Sequence, residues 1–419
     1  MISEHDKIFK NLPHQKELTL DQARQQGDWF EIKALLSRSK EELREIIRLS
    51  KVREKDNNAL LVFEKWGSFI EDPDKKSILV IDGGCGVSGD VGFLHLIYYE
   101  IHKIIEGALL TAFLVGSEIG YFYVASNQSR ALQVIQRALN ECYAQGLLGS
   151  HILGTDFSFH LHLHFGSSHY VSYSDDMLVH SLAGERQPQK TLFGKPVLIH
   201  KVETIAALPT ILRKGGEWFS SLGTSYSAGT KVFSLSGHVN KPCVIEESFG
   251  VSLRATLEHY AGGVRGGWSH LNFIFPSGIN SPVLLKSFCN DILLSYENVG
   301  AFHSFLGSGS LIVVNGSVNL ITVMLTAMKF FLEMPPSSCL FCIKGIPACV
   351  GLLKEWKKKE KNSSEESLAI KELTDLSQKI EKRCECGYAH QALNPIRGCL
   401  QYLGSPEIQE SLHELRGSI

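Results

Sequence analysis

The sequence predicts an α/β fold that runs into a C-terminal bundle of helices, and three observations point to it. SILVID (77–82) is a short β-branched apolar run. It passes through a glycine-rich loop into the helical stretch HLIYYEIHKIIEGALLTAFLVGS and then into YFYVAS (121–126), the order of a βαβ unit. After Thr230 the texture changes to short strands and turns, and from Ser317 onward the chain reads as helices that carry a group of cysteines.

Taken in order, residues 20–50 have helical periodicity, and Ser39 with Glu42 gives a capping signal, so two short helices are expected there. Residues 129–146 extend the βαβ unit with a further helix, and FSFHLHLHF (157–165) alternates strictly, as a strand does. KVFSLSGHV, PCVIEESFG, the helical VSLRATLEHYAGG and the strand HLNFIFPSG then form a small α+β module. KKKEKNSSEES (357–367) reads as the solvated turn of a helical hairpin.

Composition bounds the function. With 419 residues, 44% hydrophobic and 21% charged, the chain is ordinary globular material, and a net charge of −2 offers no basic field for a nucleic-acid partner. MISEHDKIFKNLPHQKEL has no apolar segment of the signal-peptide kind, so export is not expected. Residues 299–328 lack Asp, Glu, Lys and Arg, but Asn315, Gly316, Ser317 and Asn319 split them into a strand and an amphipathic helix. No direct membrane insertion is expected.

Three constellations could carry chemistry. Gly84, Gly86 and Gly89 make a G-x-G-x-x-G loop between a strand and a helix, where backbone amides can face a phosphate. The next strand, however, ends in Ser126 and Asn127 without the acidic residue that would hold a ribose. The alternatives are dinucleotide binding and a plain tight turn. His160, His162 and His164 share a strand face, but same-face neighbours stand about 7 Å apart, which suits a polar sheet face better than one metal ion. Of ten cysteines, those at 339, 342, 349, 384 and 386 cluster; Cys339 and Cys342 form a C-x-x-C pair to which Cys384 and Cys386 can return across the hairpin. Either an iron–sulfur site or a set of unliganded core thiols fits this pattern. No Walker loop, G-x-S-x-G or H-E-x-x-H is present.

At GTKVFSLSGHVNKPCVIEESFGVSLRATLEHYAGGVRGG (229–267) the chain closely resembles the NADH-binding flavoprotein subunit of respiratory complex I and its relatives in bidirectional hydrogenases and NAD-dependent formate dehydrogenases. LDQARQQGDWFEIKALL, IEGALLTAFLVGS, LLGSHILGTDFSFHLHLHFG, VETIAALPTILRKGGEWFSSLG and GSGSLIVVN extend the match in register. The resemblance implies three domains: residues 1–228, N-terminal helices and a Rossmann-like FMN-binding domain; 229–316, a ubiquitin-like β-grasp (SLBB) domain; and 317–419, a helical iron–sulfur domain. It also implies NADH reducing FMN, FMN passing single electrons to a [4Fe–4S] cluster, other peripheral-arm subunits as partners, and a cytoplasmic place on the inner membrane held through that complex.

The site motifs depart from the family. The glycines of its GRGGAGFPTG loop fall on Glu54, Asp56, Asn57, Ala59 and Phe63, and a Cβ at such positions takes the space of a flavin lying on bare backbone. The carboxylates at 54 and 56 are also expected to repel a phosphate. NADESEPG becomes residues 82–89, GEET falls on residues 173–176 with Asp175 in place of one glutamate, and NNVET becomes His200-Lys201-Val202-Glu203-Thr204. SCGQCTPCREG aligns with SCLFCIKGIPA, which keeps Cys339 and Cys342 but puts Gly345 at the third ligand; the fourth falls on Cys384, with Cys386 beside it. The expected cofactor-facing residues are Gly84, Gly86, Gly89 and Asp175, and the expected metal ligands are Cys339, Cys342, Cys384 and Cys386. No catalytic residue is assigned, and NADH:FMN chemistry is expected to be lost or impaired, with assembly as the remaining role.

Overall fold

The computed structural model describes residues 1–71, 76–84, 91–166, 175–184, 191–333, 339–358, 363–384 and 388–403, apart from the side chains of Met177 and of residues 363–367 and 401–403. The first sheet is built from β1 (Ile78–Asp82), β2 (Ile119–Ala125), β3 (His160–Gly166), β4 (Thr191–Leu192) and β5 (Lys195–Lys201), in the order β3-β2-β1-β5-β4. β3, β2, β1 and β5 are parallel, and β4 closes the edge as an antiparallel hairpin with β5. Every residue of β1 is buried, as expected for a central parallel strand covered on both faces.

The chain builds this sheet outward from β1 through β2 to β3, then returns to lay β5 on the other flank of β1. The order therefore reverses between β1 and β5, and in open α/β sheets ligands bind outside the carboxyl ends of the strands at such a reversal. In the register of this pair, Asp82 faces Lys201 at those ends.

The helix expected as one run after β1 is two, Gly92–Tyr99 and Ile101–Val115. Glu100 breaks it with φ −128° and turns a buried carboxyl toward the backbone amides of Asn11 (2.7 Å) and Leu12 (3.1 Å). Burial pushes that carboxyl up to about 8. The second half is buried along its whole length and packs on the helix Val202–Lys214 so closely that a Cβ on Gly107 would lie 2.0 Å from the Ile205 carbonyl oxygen. Residues 20–50 likewise hold three helices, not two: Leu20–Gln25, Ile32–Ser37 and Lys40–Ser50, with Glu31 in a left-handed conformation before the second.

The second sheet comprises β6 (Thr230–Gly237), β7 (Cys243–Ser248), β8 (Leu271–Ile279), β9 (Leu284–Leu285) and β10 (Ser310–Asn315), in the order β7-β6-β10-β8-β9. β6 and β10 are parallel and the other pairs antiparallel. Leu253 and Leu257 of the helix Leu253–Ala261 cover one face over Phe233, Leu235 and Leu311. Phe273, Phe275 and Val314 of this sheet share a core with the C-terminal helices Leu320–Glu333, Leu340–Lys358, Ser363–Arg383, Tyr388–Ala392 and Asn394–Leu403. The second and third of these pack against each other; of the turn expected at 357–367, residues 357–358 and 363–367 belong to the two helices and 359–362 lie outside the described residues. No helix among the described residues is long and apolar enough to cross a membrane.

Candidate functional site: a charged switch point and a thiol cluster

At the β1/β5 switch point the side chains are ionisable and paired. Glu54, from the segment aligned with the glycine loop, is buried between the strand ends. One carboxylate oxygen lies 2.5 Å from His200 Nδ1; the other accepts from the Lys201 amide at 2.9 Å and from the Thr204 hydroxyl at 2.6 Å. Lys65 adds its ammonium at 3.4 Å. On the far side of the imidazole, the Trp66 indole N–H donates to His200 Nε2 at 2.8 Å. Because an indole N–H only donates, Nε2 must accept, which puts the ring proton on Nδ1, pointing at Glu54. Burial alone would raise the Glu54 carboxyl, but Lys65, His200 and the hydrogen bonds outweigh it and hold the group well below the usual carboxylate range.

Beside this centre Lys201 donates to Asp82, whose other oxygen accepts the Gly84 amide at 2.8 Å. Burial opposes the Lys201 charge, yet Asp82 raises its pKa above the ordinary lysine value. Lys55 runs the opposite way into the protein, with its ammonium on the Thr230 carbonyl at 2.7 Å and 4.5 Å from the centre of the Phe249 ring. Burial pushes it down to about 7. Asp56 accepts the amides of Asn58 and Ala59, both at 2.9 Å, and Ala59 keeps a left-handed φ of 47° at a family glycine position. At this one position a side chain occupies a conformation that favours glycine.

Of the sequence-predicted residues, Gly84 lies at this point. Asp175 opens the helix Asp175–Ala183, exposed and 3.9 Å from Lys65. Gly86 and Gly89 lie outside the described residues. The histidines of β3 do not converge on a metal; His162 and His164 pack beside Tyr121 and Tyr123 of β2, with ring centres 5.7 and 5.8 Å apart. The charge network itself goes beyond what the sequence predicts. The new acids at 54 and 56 read there as a source of repulsion, although two bases, His200 and Lys201, stand where the family has asparagines. Complementary gains at two separate motifs were the available signal.

In the C-terminal bundle, Cys339 precedes the helix Leu340–Lys358, Cys342 sits in its first turn, and Cys384 follows the helix Ser363–Arg383. The three sulfurs lie within 4.8 Å of one another: Cys342 and Cys384 at 3.5 Å, Cys339 and Cys384 at 4.0 Å. Cys342 is buried and the other two are partly exposed. Cys386 lies outside the described residues, and Cys349 is buried two turns further along the helix, in the hydrophobic core. Gly345, at the third family ligand, packs against the neighbouring helix; a Cβ there would lie 2.6 Å from Ile380 Cγ1.

Three family models match in chain order: the Nuo51 FMN-binding domain over residues 77–210, the SLBB domain over 231–299 and the NADH-ubiquinone oxidoreductase-F iron–sulfur binding region over 322–408. The F subunit of NADH-quinone oxidoreductase from Rickettsia felis is 34% identical over 98% of both chains, and that from Rickettsia bellii strain OSU 85-389 is 33% identical over 96% of this chain and 98% of its own.

The chain belongs to the family of NADH-quinone oxidoreductase F subunits.

Two crystal structures of an NAD+-reducing [NiFe]-hydrogenase, H2-reduced and air-oxidised, have the same fold, with TM-scores of 0.71 and 0.74 at 19% identity over 88% of this chain. This chain spans 63% of the length of those hydrogenase chains. The first sheet, with its switch point, falls within the residues matched by the FMN-binding model, and the thiol cluster lies in the matched iron–sulfur region.

Proposed function

We propose that this F-subunit homologue no longer carries out NADH:FMN chemistry and serves as a structural partner within an assembly of the kind its relatives' names describe. The reading rests on Glu54. A flavin cradle needs exposed backbone amides and room for a planar ring. Here a buried carboxylate uses the Lys201 amide, the Thr204 hydroxyl and His200 for itself, while Lys201 is taken by Asp82. The residues present do not fit FMN, and no hydride step is derived through them. Gly84, Gly86, Gly89 and Asp175 then carry no cofactor role.

The division at 228/229 and 316/317, peripheral-arm subunits as partners, and a cytoplasmic position held through the complex belong to the same reading. The competing reading is an active subunit passing electrons from NADH through FMN to a [4Fe–4S] cluster; the matches to the FMN-binding and iron–sulfur family models favour it. Visible absorption of the purified chain with FMN added, followed by NADH:ferricyanide assay, separates the two. Our reading expects no retained flavin and no turnover, whereas a yellow protein that reduces ferricyanide would establish the active subunit.

A further inference from the structure

The geometry points to a mononuclear zinc site at Cys339, Cys342 and Cys384 in place of an iron–sulfur cubane. Around one tetrahedral ion with metal–sulfur bonds of about 2.3 Å, neighbouring sulfurs stand about 3.8 Å apart. The observed pairs, at 3.5 and 4.0 Å, bracket that value, and the third separation stays within 4.8 Å. A cubane binds each thiolate through a different iron, so an iron–iron edge separates every pair and the sulfurs splay further apart.

The third family corner is also closed. Gly345 brings no donor, and the space its side chain would need is taken by Ile380. Three soft donors gathered around one centre among the described residues suit Zn2+, which favours thiolate ligands and four-coordination. The start of the helix Leu340–Lys358 supplies the positive end of a helix dipole beside Cys339 and Cys342, which lowers the cost of gathering thiolates there. Binding is a ligand exchange: the three thiols release three protons to solvent, and three sulfur–zinc bonds form as waters leave the hydrated ion. No electron is transferred.

This inference does not rest on the flavin reading. The full chain, purified without added metal from cells supplied with both zinc and iron, is assayed for zinc, iron and acid-labile sulfide. The expected result is about one zinc per chain, little iron or sulfide, and tetrahedral thiolate absorption once Co2+ replaces the zinc. Cys339→Ser, at a partly exposed ligand whose loss the fold tolerates more readily than that of buried Cys342, leaves the chain short of zinc, while Cys349→Ser retains it. A brown protein with iron and sulfide in cluster amounts overturns the site, as does a metal-free chain with the thiols free or paired in a disulfide. Bound flavin alongside one zinc would sink only the proposed function; a cluster without flavin would sink only this site.

Discussion

The switch point of the first sheet and the thiol cluster of the bundle have both moved away from their family's pattern, in opposite ways. At the switch point side chains were added where backbone should be bare, and the additions satisfy one another: Glu54 with His200 and Lys65, Asp82 with Lys201. At the cluster a donor was removed, and its place was closed by packing of Gly345 on Ile380 while three thiols stayed together. On the proposed reading, a site defined by open space is lost once that space is filled, whereas a site defined by donor atoms can lose one and still hold a smaller ligand.

The sharpest way to break this comparison is Glu54→Ala. It leaves buried His200 and the Lys201 amide without their acceptor and half-buried Lys65 with only the exposed Asp175, and about 3–5 kcal/mol of stability is expected to go, read by urea unfolding. A loss below about 1 kcal/mol would mean that the pocket is open to solvent. Gly345→Cys comes next. Forcing a side chain against Ile380 is expected to cost about 1–3 kcal/mol, and Ile380→Ala should cost less in the Gly345→Cys chain than in the parent, a coupling read from the double-mutant cycle. Full stability with iron uptake in the single variant would show the third corner still available.

Lys55 gives the pH test. Burial pushes its folded pKa down to about 7, below the ordinary lysine value of 10.5, so between those pH values the unfolded chain holds a proton that the folded chain lacks. Its contribution to stability therefore rises with pH across that window, by up to about 1.4 kcal/mol per unit, and Lys55→Met should flatten the rise in unfolding curves taken from about pH 7 to 10. The smallest effect is expected from His162→Ala on β3: stability within about 0.5 kcal/mol of the parent and unchanged metal content. Zinc-dependent stabilisation that vanishes in this variant would give the histidine strand a role it is not assigned.

The sequence made much of the fold legible because its signals are local. β-branched runs marked β1, β6 and β8, and the texture change near Thr230 separated the two sheets. The break at Glu100 was not legible, since the reason for it, the amides of Asn11 and Leu12, lies some 88 positions away. β5 was hidden for a similar reason: KPVLIHK is too short and too charged at its ends to read as a central strand until β1 pairs with it. At the candidate sites the cysteines could be read from spacing and resemblance, because donors announce themselves by residue type. The charge network could not, because each substitution read alone looks like damage and only their convergence makes them a unit.

That convergence also bears on the protein's history. Returning Glu54 to glycine would strand His200 and Lys65 without their shared carboxylate, and returning Lys201 to asparagine would leave Asp82 buried opposite no cation. Each of these two steps leaves a buried or half-buried charge without its partner and costs stability, while changes that preserve the pairing cost little. The strand ends of the first sheet thus work as a ratchet: with the opposed charges paired there, a glycine-lined pocket is not reached one substitution at a time without loss of stability.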